Sequence, residues 1–354
     1  METKAREFFN HLVTTHGATG DEQAVQEVVR QYVQDFADEV KTDVLGNVIA
    51  VRNPEGKLRV LLDGHCDQIG LGVRDIDKNG FIYVHSLGGW DIQNLIGQHV
   101  TIWTKKGPVL GVIGRKPIHL LEVEERGKVS KLDDIWVDIG VGSKEEAEAK
   151  VDLGDTITIR TFLTELDNDL TASCAMDDRC GVWVVMEALR RIDPAKLKCA
   201  VYAVSATQEE EGYRGAKPAA FGIDPHVGIA VDVTHATDCP TVDPNKSGEV
   251  KIGKGPVIER GPNFSPIVVD RFCEQAEANG ISYQLCANGR PGGTDTFVIQ
   301  MTRDGVASGL ISIPNRYMHS PVEVISLRDM EAAAELIARF IENLDENFSF
   351  IPHI

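Results

Sequence analysis

Leu58-Arg-Val-Leu-Leu-Asp-Gly-His-Cys-Asp67 carries an extended apolar run directly into a histidine and an acid spaced two apart. Alternate residues of an extended chain share a face, so His65 and Asp67 point the same way, and the run over 58–62 reads as the strand that delivers them. Open α/β sheets bind ligands beyond the carboxyl ends of their strands, and this stretch has that form. Working outward, Ala24, Val25, Val28, Val29, Tyr32, Val33 and Phe36 recur at helical spacing, and 47–52 reads as a neighbouring strand. Strands and helices alternate again after Leu163: a helix over 179–191, apolar strands over 199–205, 227–233 and 307–313, and a closing helix over 327–344. The two-sided hydrophobicity of these strands fits a sheet covered on both faces. Ser326 and Asp329 have the spacing of a capping box for the closing helix.

Between these parts the texture changes. Short β-type runs at 81–85, 100–104, 109–113, 135–139 and 156–160 are separated by Gly and Asp turns, with one short helix expected at 144–149. No long amphipathic helix intervenes to make crossovers, so 69–162 is expected to be an inserted small β-barrel-like domain. The expected fold class is α/β: a mixed sheet with helices on both faces, built from 1–68 and 163–354 and interrupted by that insertion.

A formal charge of −18 over 354 residues disfavours nucleic acid and anionic membranes, whose recognition depends on Lys and Arg. No apolar run approaches the roughly 20 residues needed to span a bilayer, and Met-Glu-Thr-Lys-Ala-Arg-Glu lacks the apolar core of a signal peptide, so a cytoplasmic protein is expected. Seven scattered cysteines fit neither a CxxC zinc pattern nor a disulfide framework and read as reduced thiols.

The chemistry-bearing residues stand at the ends of the apolar runs: His65 and Asp67, Asp177, Glu209-Glu210-Glu211, Asp232 and His319. Any one of them alone is more often a cap or a solvated residue, and their convergence is what points to a two-metal hydrolase site. Asp67 is placed to receive the ring N–H of His65, which fixes the tautomer and makes the other nitrogen a better ligand. Two divalent ions bring four positive charges. Asp177, Glu210 and Asp232 with a bridging hydroxide neutralise them, and His65 and His319 serve as neutral ligands. That count leaves Glu209 over as a general base. Gly292-Gly-Thr294-Asp295 reads either as a tight turn capping a helix or as a wall of the substrate pocket.

Gly64-His-Cys-Asp-Gln-Ile-Gly70, Ala175-Met-Asp-Asp-Arg179, Thr207-Gln-Glu-Glu-Glu-Gly-Tyr-Arg-Gly-Ala216, Val231-Asp-Val233, Gly292-Gly-Thr-Asp295 and Tyr317-Met-His-Ser320 together resemble the M42 family of metallo-aminopeptidases, the group that contains the TET peptidases. The resemblance implies that Asp177 bridges two metals, that His65 and Asp232 complete one site, and that Glu210 and His319 complete the other. It further implies Asp67 as the partner behind His65, Glu209 as general base, and the insertion as a dimerisation domain in assemblies from dimer to dodecamer. Cys66 and Gln68 stand where the family often has Met and Glu, and Glu211 replaces a usually apolar residue. The expected activity is removal of N-terminal residues from short peptides with two divalent ions, zinc or cobalt, with Asp295 and Glu211 as candidate holders of the substrate α-ammonium. A deacylase or carboxypeptidase with the same core, or a noncatalytic assembly protein, are the alternatives; an intact Glu209 argues against the last.

Overall fold

The computed structural model describes residues 1–160, 162–289 and 292–352; Thr161, at the expected seam after the insertion, lies outside them. An eight-stranded mixed sheet runs in the order Glu39–Thr42, Val48–Arg52, Ala200–Ala206, Arg59–His65, Val227–His235, Ala307–Asn315, Val257–Arg260 and Gln284–Ala287. Its four middle strands are mutually parallel. They are also the most apolar, as burial on both faces requires. The strand expected over 58–62 continues through Asp63 and Gly64, so His65 is its last residue.

Close backbone approaches show which helices cover which face. An added Cβ would stand 2.8 Å from the Gly181 carbonyl carbon at Gly64, 2.6 Å from Val268 at Gly309 and 2.4 Å from Ile299 at Gly228. Gly228 and Gly309 are one position out of register across paired strands, so they face opposite ways. Helices Met176–Arg191 and Pro266–Asn279 therefore lie on one face and the short helix Thr296–Gln300 on the other. At Gly64 strand and helix touch backbone to backbone, which fixes His65 relative to the acidic start of Met176–Arg191. Trp183, Phe9, Phe272 and Phe340 are fully buried in this core, and each large apolar side chain so buried is worth about 1.5–3 kcal/mol.

The strands Gly70–Ile76, Ile82–Leu87, Ile135–Asp138, Gly107–Arg115, His99–Thr104 and Thr156–Ile159 close in that order into a barrel. It has its own apolar interior, including Leu71, Val84, Ile102, Val137 and Ile157. The strand Gly70–Ile76 escaped the sequence reading because glycines and charges interrupt it. At Gly72 an added Cβ would stand 2.5 Å from the His85 ring, so a larger residue there would push that exposed side chain aside.

The expected capping box does not form. Ser326 precedes the helix Leu327–Glu342 but makes no side-chain cap bond. Asp329 instead accepts the N–H groups of Gly253 and Gly255 at 2.7 and 2.8 Å. A distant loop with unpaired N–H groups thus takes the carboxylate that the local pattern assigned to the helix end.

Candidate active site

The acids and histidines converge at the carboxyl ends of the parallel strands. His65 ends Arg59–His65, Asp232 lies near the end of Val227–His235, and Glu209 and Glu210 sit in the loop just beyond Ala200–Ala206. That loop is held by Asn47, whose Oδ1 accepts the Thr207 N–H at 2.9 Å and whose Nδ2 donates to the Gly215 carbonyl at 3.0 Å. Asp177 and Asp178, joined by a cis peptide bond, are the non-helical opening of Met176–Arg191. His319 occupies a left-handed turn at φ 58° after Ala307–Asn315.

Asp177 stands between the histidines. Its Oδ1 is 3.2 Å from His65 Nε2 and its Oδ2 is 3.3 Å from His319 Nε2. Glu210 Oε1 lies 3.5 Å from His319 Nε2, and Glu209 Oε2 lies 3.7 Å from His65 Nε2. Two overlapping groups have ligand atoms all within 4.8 Å of one another: His65 with Asp177 and Glu210, and His65 with Asp178 and Asp232.

Both rings are oriented from behind. His65 Nδ1 is 3.2 Å from the Asp67 carbonyl oxygen and 3.4 Å from Asp67 Oδ1. The Asp67 carboxylate also accepts from Thr19 Oγ1 at 2.8 Å and from the Glu209 and Glu210 N–H groups at 3.0 and 3.3 Å. One fully buried acid thus ties the histidine strand to the loop of acids. His319 Nδ1 is 2.8 Å from the carbonyl of Gly89, a residue of the inserted segment. Donation from Nδ1 leaves Nε2 free to bind.

Burial of so many acids together disturbs their protonation. Burial raises Asp232 and Glu209 well above the ordinary carboxylate range; Asp177 adds to the shift at Asp232, and Asp295 at Glu209. Burial also acts to raise Asp177, but the hydrogen bonds from His319 and His65 overcome it and hold that carboxyl low. Asp177 and Glu210 raise His319 to about 11.

Sequence reasoning missed three participants. Glu323 accepts the Asp177 N–H at 3.0 Å with one oxygen and the His319 N–H at 2.8 Å with the other, bracing two site residues at once. Asp178 accepts the His65 N–H at 3.2 Å and belongs to the second group of possible ligands. Gly89 could have been found by no local signal; Asp178 could, as the second acid of Asp177-Asp178. Two expectations need correction: neither Glu211 nor Asp295 lines the site cavity. Glu211 accepts the Gly88 N–H at 2.9 Å, and Asp295 is buried against Asp63. Asp295 also begins the helix Thr296–Gln300 without a side-chain cap bond, while Gly292, Gly293 and Thr294 do line the cavity. Cys66 is buried in the apolar core and all seven cysteines are free thiols.

The cavity in front of these groups measures about 570 Å³ and is lined by His65, Asp177, Glu209, Glu210, Asp232 and His319 among others. No helix of the described residues is long and apolar enough to cross a membrane.

Comparison with known proteins covers the same elements. A lysyl aminopeptidase of Pyrococcus furiosus is 39% identical over 346 residues, covering 96% of this chain and 97% of the relative. The structure of a TET aminopeptidase from a marine sediment archaeon of the Thaumarchaeota superposes with a TM-score of 0.92 at 36% identity, covering 97% of each chain. The Pyrococcus horikoshii TET1 peptidase, whose structure is described as assembling into a tetrahedron or a large octahedral shell, matches with a TM-score of 0.86 at 32% identity over 96% of this chain and 100% of its own. The family model described as M42 glutamyl aminopeptidase matches residues 46–336. That span runs from the first middle-sheet strands through His319 and its brace Glu323, and the chain accordingly belongs to the M42 aminopeptidase family.

Proposed function

We propose that this chain is a metal-dependent aminopeptidase that removes N-terminal residues from short peptides at a centre of two divalent ions, zinc or cobalt. The observation that carries this reading is the Asp177 carboxylate, which presents one oxygen toward each histidine. The donor set of imidazoles and carboxylates suits such ions. Glu210 Oε1 is buried with no hydrogen bond tighter than its 3.5 Å approach to His319 Nε2, as a carboxylate oxygen awaiting a cation would be. Asp177 would bridge, with His65 and Asp232 on one side and Glu210 and His319 on the other. When bound, the ions polarise the scissile carbonyl and acidify water.

The protein's own groups then divide the remaining work. Glu209, beside His65 and outside the charge count of the ligands, accepts the proton of the attacking water and returns it to the leaving amine. Asp67 and the Gly89 carbonyl keep the two rings in the tautomer that exposes Nε2. The acid-lined cavity favours an approaching α-ammonium and disfavours a free carboxylate, which argues for an aminopeptidase over a carboxypeptidase.

A matched pair of peptides, free and N-acetylated, tests the reading by mass spectrometry over time. Successive one-residue losses from the free peptide alone are expected. Comparable cleavage of the acetylated peptide, or internal fragments, would make the aminopeptidase reading wrong.

The inserted barrel is proposed as the assembly module. It exposes Leu110, Ile118, Leu120, Val123 and Val129, each at least half accessible, an apolar surface that suits burial against another copy. Leu120→Asp combined with Val123→Asp should give a smaller particle by light scattering. An unchanged high mass, or a monomeric parent protein, would remove the barrel from that role.

A further inference from the structure

The cavity extends from the histidines across the sheet. Asp232 pairs with Ser312 in parallel register, and Ser312 pairs with Val257 in antiparallel register. Leu310 and Glu259, each two residues along, share the face of Ser312 and Val257. The strand carrying Glu259 therefore lies two inter-strand steps, about 10 Å, from the strand carrying Asp232. Glu259, Ser312, Leu310, Val233 and Met318 all line the cavity.

Glu259 is 3% exposed, and its Oε2 is buried with no hydrogen-bond partner. Its strand neighbours Val257 and Ile258 are buried apolar residues, so nothing in the packing of the sheet calls for a carboxylate. Burial lifts its pKa to about 7, with the Ser312 hydroxyl opposing, as befits an acid lacking a counter-charge. Among the described residues that line the cavity there is no lysine or arginine. A buried carboxylate without a counter-charge is unfavourable, so that counter-charge is best sought in what fills the space.

We propose that Glu259 is the specificity-determining residue of this chain and takes the side-chain cation of a lysine or arginine at the N-terminus of the peptide. The apolar stem of such a residue lies along Leu310, Val233 and Met318, and its charged end reaches Glu259. An acidic first residue is repelled, and an uncharged one leaves the carboxylate unpaired. The inference rests on the aminopeptidase reading, which puts the scissile bond at the acidic end of the cavity.

Two measurements separate the inference from that reading. Chromogenic amides of lysine, arginine, leucine and glutamate are assayed with zinc- or cobalt-reconstituted protein. Lysine and arginine should lead in kcat/KM, and the lysine-to-leucine ratio should fall by about 10²-fold in Glu259→Gln, with Glu259→Asp in between. Lysinamide and leucinamide binding are followed in parallel by calorimetry, which needs no turnover. Wild type should bind lysinamide more tightly, and Glu259→Gln should erase the difference. Preference for leucine or glutamate in the wild type, or an unchanged ratio in Glu259→Gln, overturns the inference and leaves the aminopeptidase reading intact. Cleavage of none of the amides overturns the aminopeptidase reading. The calorimetry then decides alone, and equal affinities for the two amides sink the assignment of Glu259.

Discussion

Glu209→Gln is expected to retain two metal ions per chain while turnover falls by roughly 10²–10⁴-fold, the range that a positioned general base contributes. The carboxylate is poised for this role by its surroundings. Its Oε2 stands 3.7 Å from His65 Nε2, and its backbone is anchored by the 3.0 Å bond from its N–H to Asp67 Oδ1. The amide preserves size and that backbone bond, so the loop keeps its shape. What it loses is the ability to take a proton. Metal content by mass spectrometry, measured beside steady-state hydrolysis of an aminoacyl chromogenic substrate, distinguishes the two possible roles. A variant that loses an ion along with its activity would make Glu209 a ligand, and the charge count that singled it out would be wrong.

The strands that carry the site were legible because burial on both faces leaves a near-continuous apolar run, and the site residues stand where those runs end. That rule made His65 and Asp232 candidates, and the convergence of several such residues singled them out. The barrel was legible as a change of texture, although Gly70–Ile76 was hidden by its glycines and charges, Gly72 among them, against which the His85 ring lies. The braces were not legible, for a physical reason. Glu323 and Gly89 act on backbone or ring nitrogens of residues brought close by the fold, and Gly89 and His319 are 230 positions apart. Nothing in the neighbourhood of either residue encodes that meeting. Asp329 shows the converse, since a local capping pattern was present and tertiary contacts with Gly253 and Gly255 took the carboxylate instead. Glu259 belongs to the same class. It looks like an ordinary polar residue of a short strand, and only the pairing of that strand with Ala307–Asn315 turns it toward the cavity.

Asp177→Asn should weaken binding of both ions together, whereas Asp232→Asn should weaken one ion first. The difference follows from where the oxygens point. Asp177 directs Oδ1 to His65 and Oδ2 to His319, so a bridging role engages both atoms. An asparagine keeps one oxygen and replaces the other with an NH₂ group, which repels a cation, and it removes a negative charge from the midpoint. Its backbone N–H still donates to Glu323, so the helix entrance should hold its form. Asp232 is grouped with His65 and Asp178 and not with His319, so its loss should be felt on the His65 side. Mutation of residues one step behind a metal ligand typically costs 10–100-fold in affinity, so removal of a bridging oxygen should cost at least about 10²-fold at each site. Calorimetric titration of the metal-free protein with zinc, or the rate of zinc release to a chelator, reads both sites. Asp177→Asn should abolish the tighter and weaker phases together, and Asp232→Asn should leave one phase near its wild-type affinity. If the two variants each lose a single, different ion and keep the other, Asp177 is a terminal ligand of one site and the bridge lies elsewhere in the cluster.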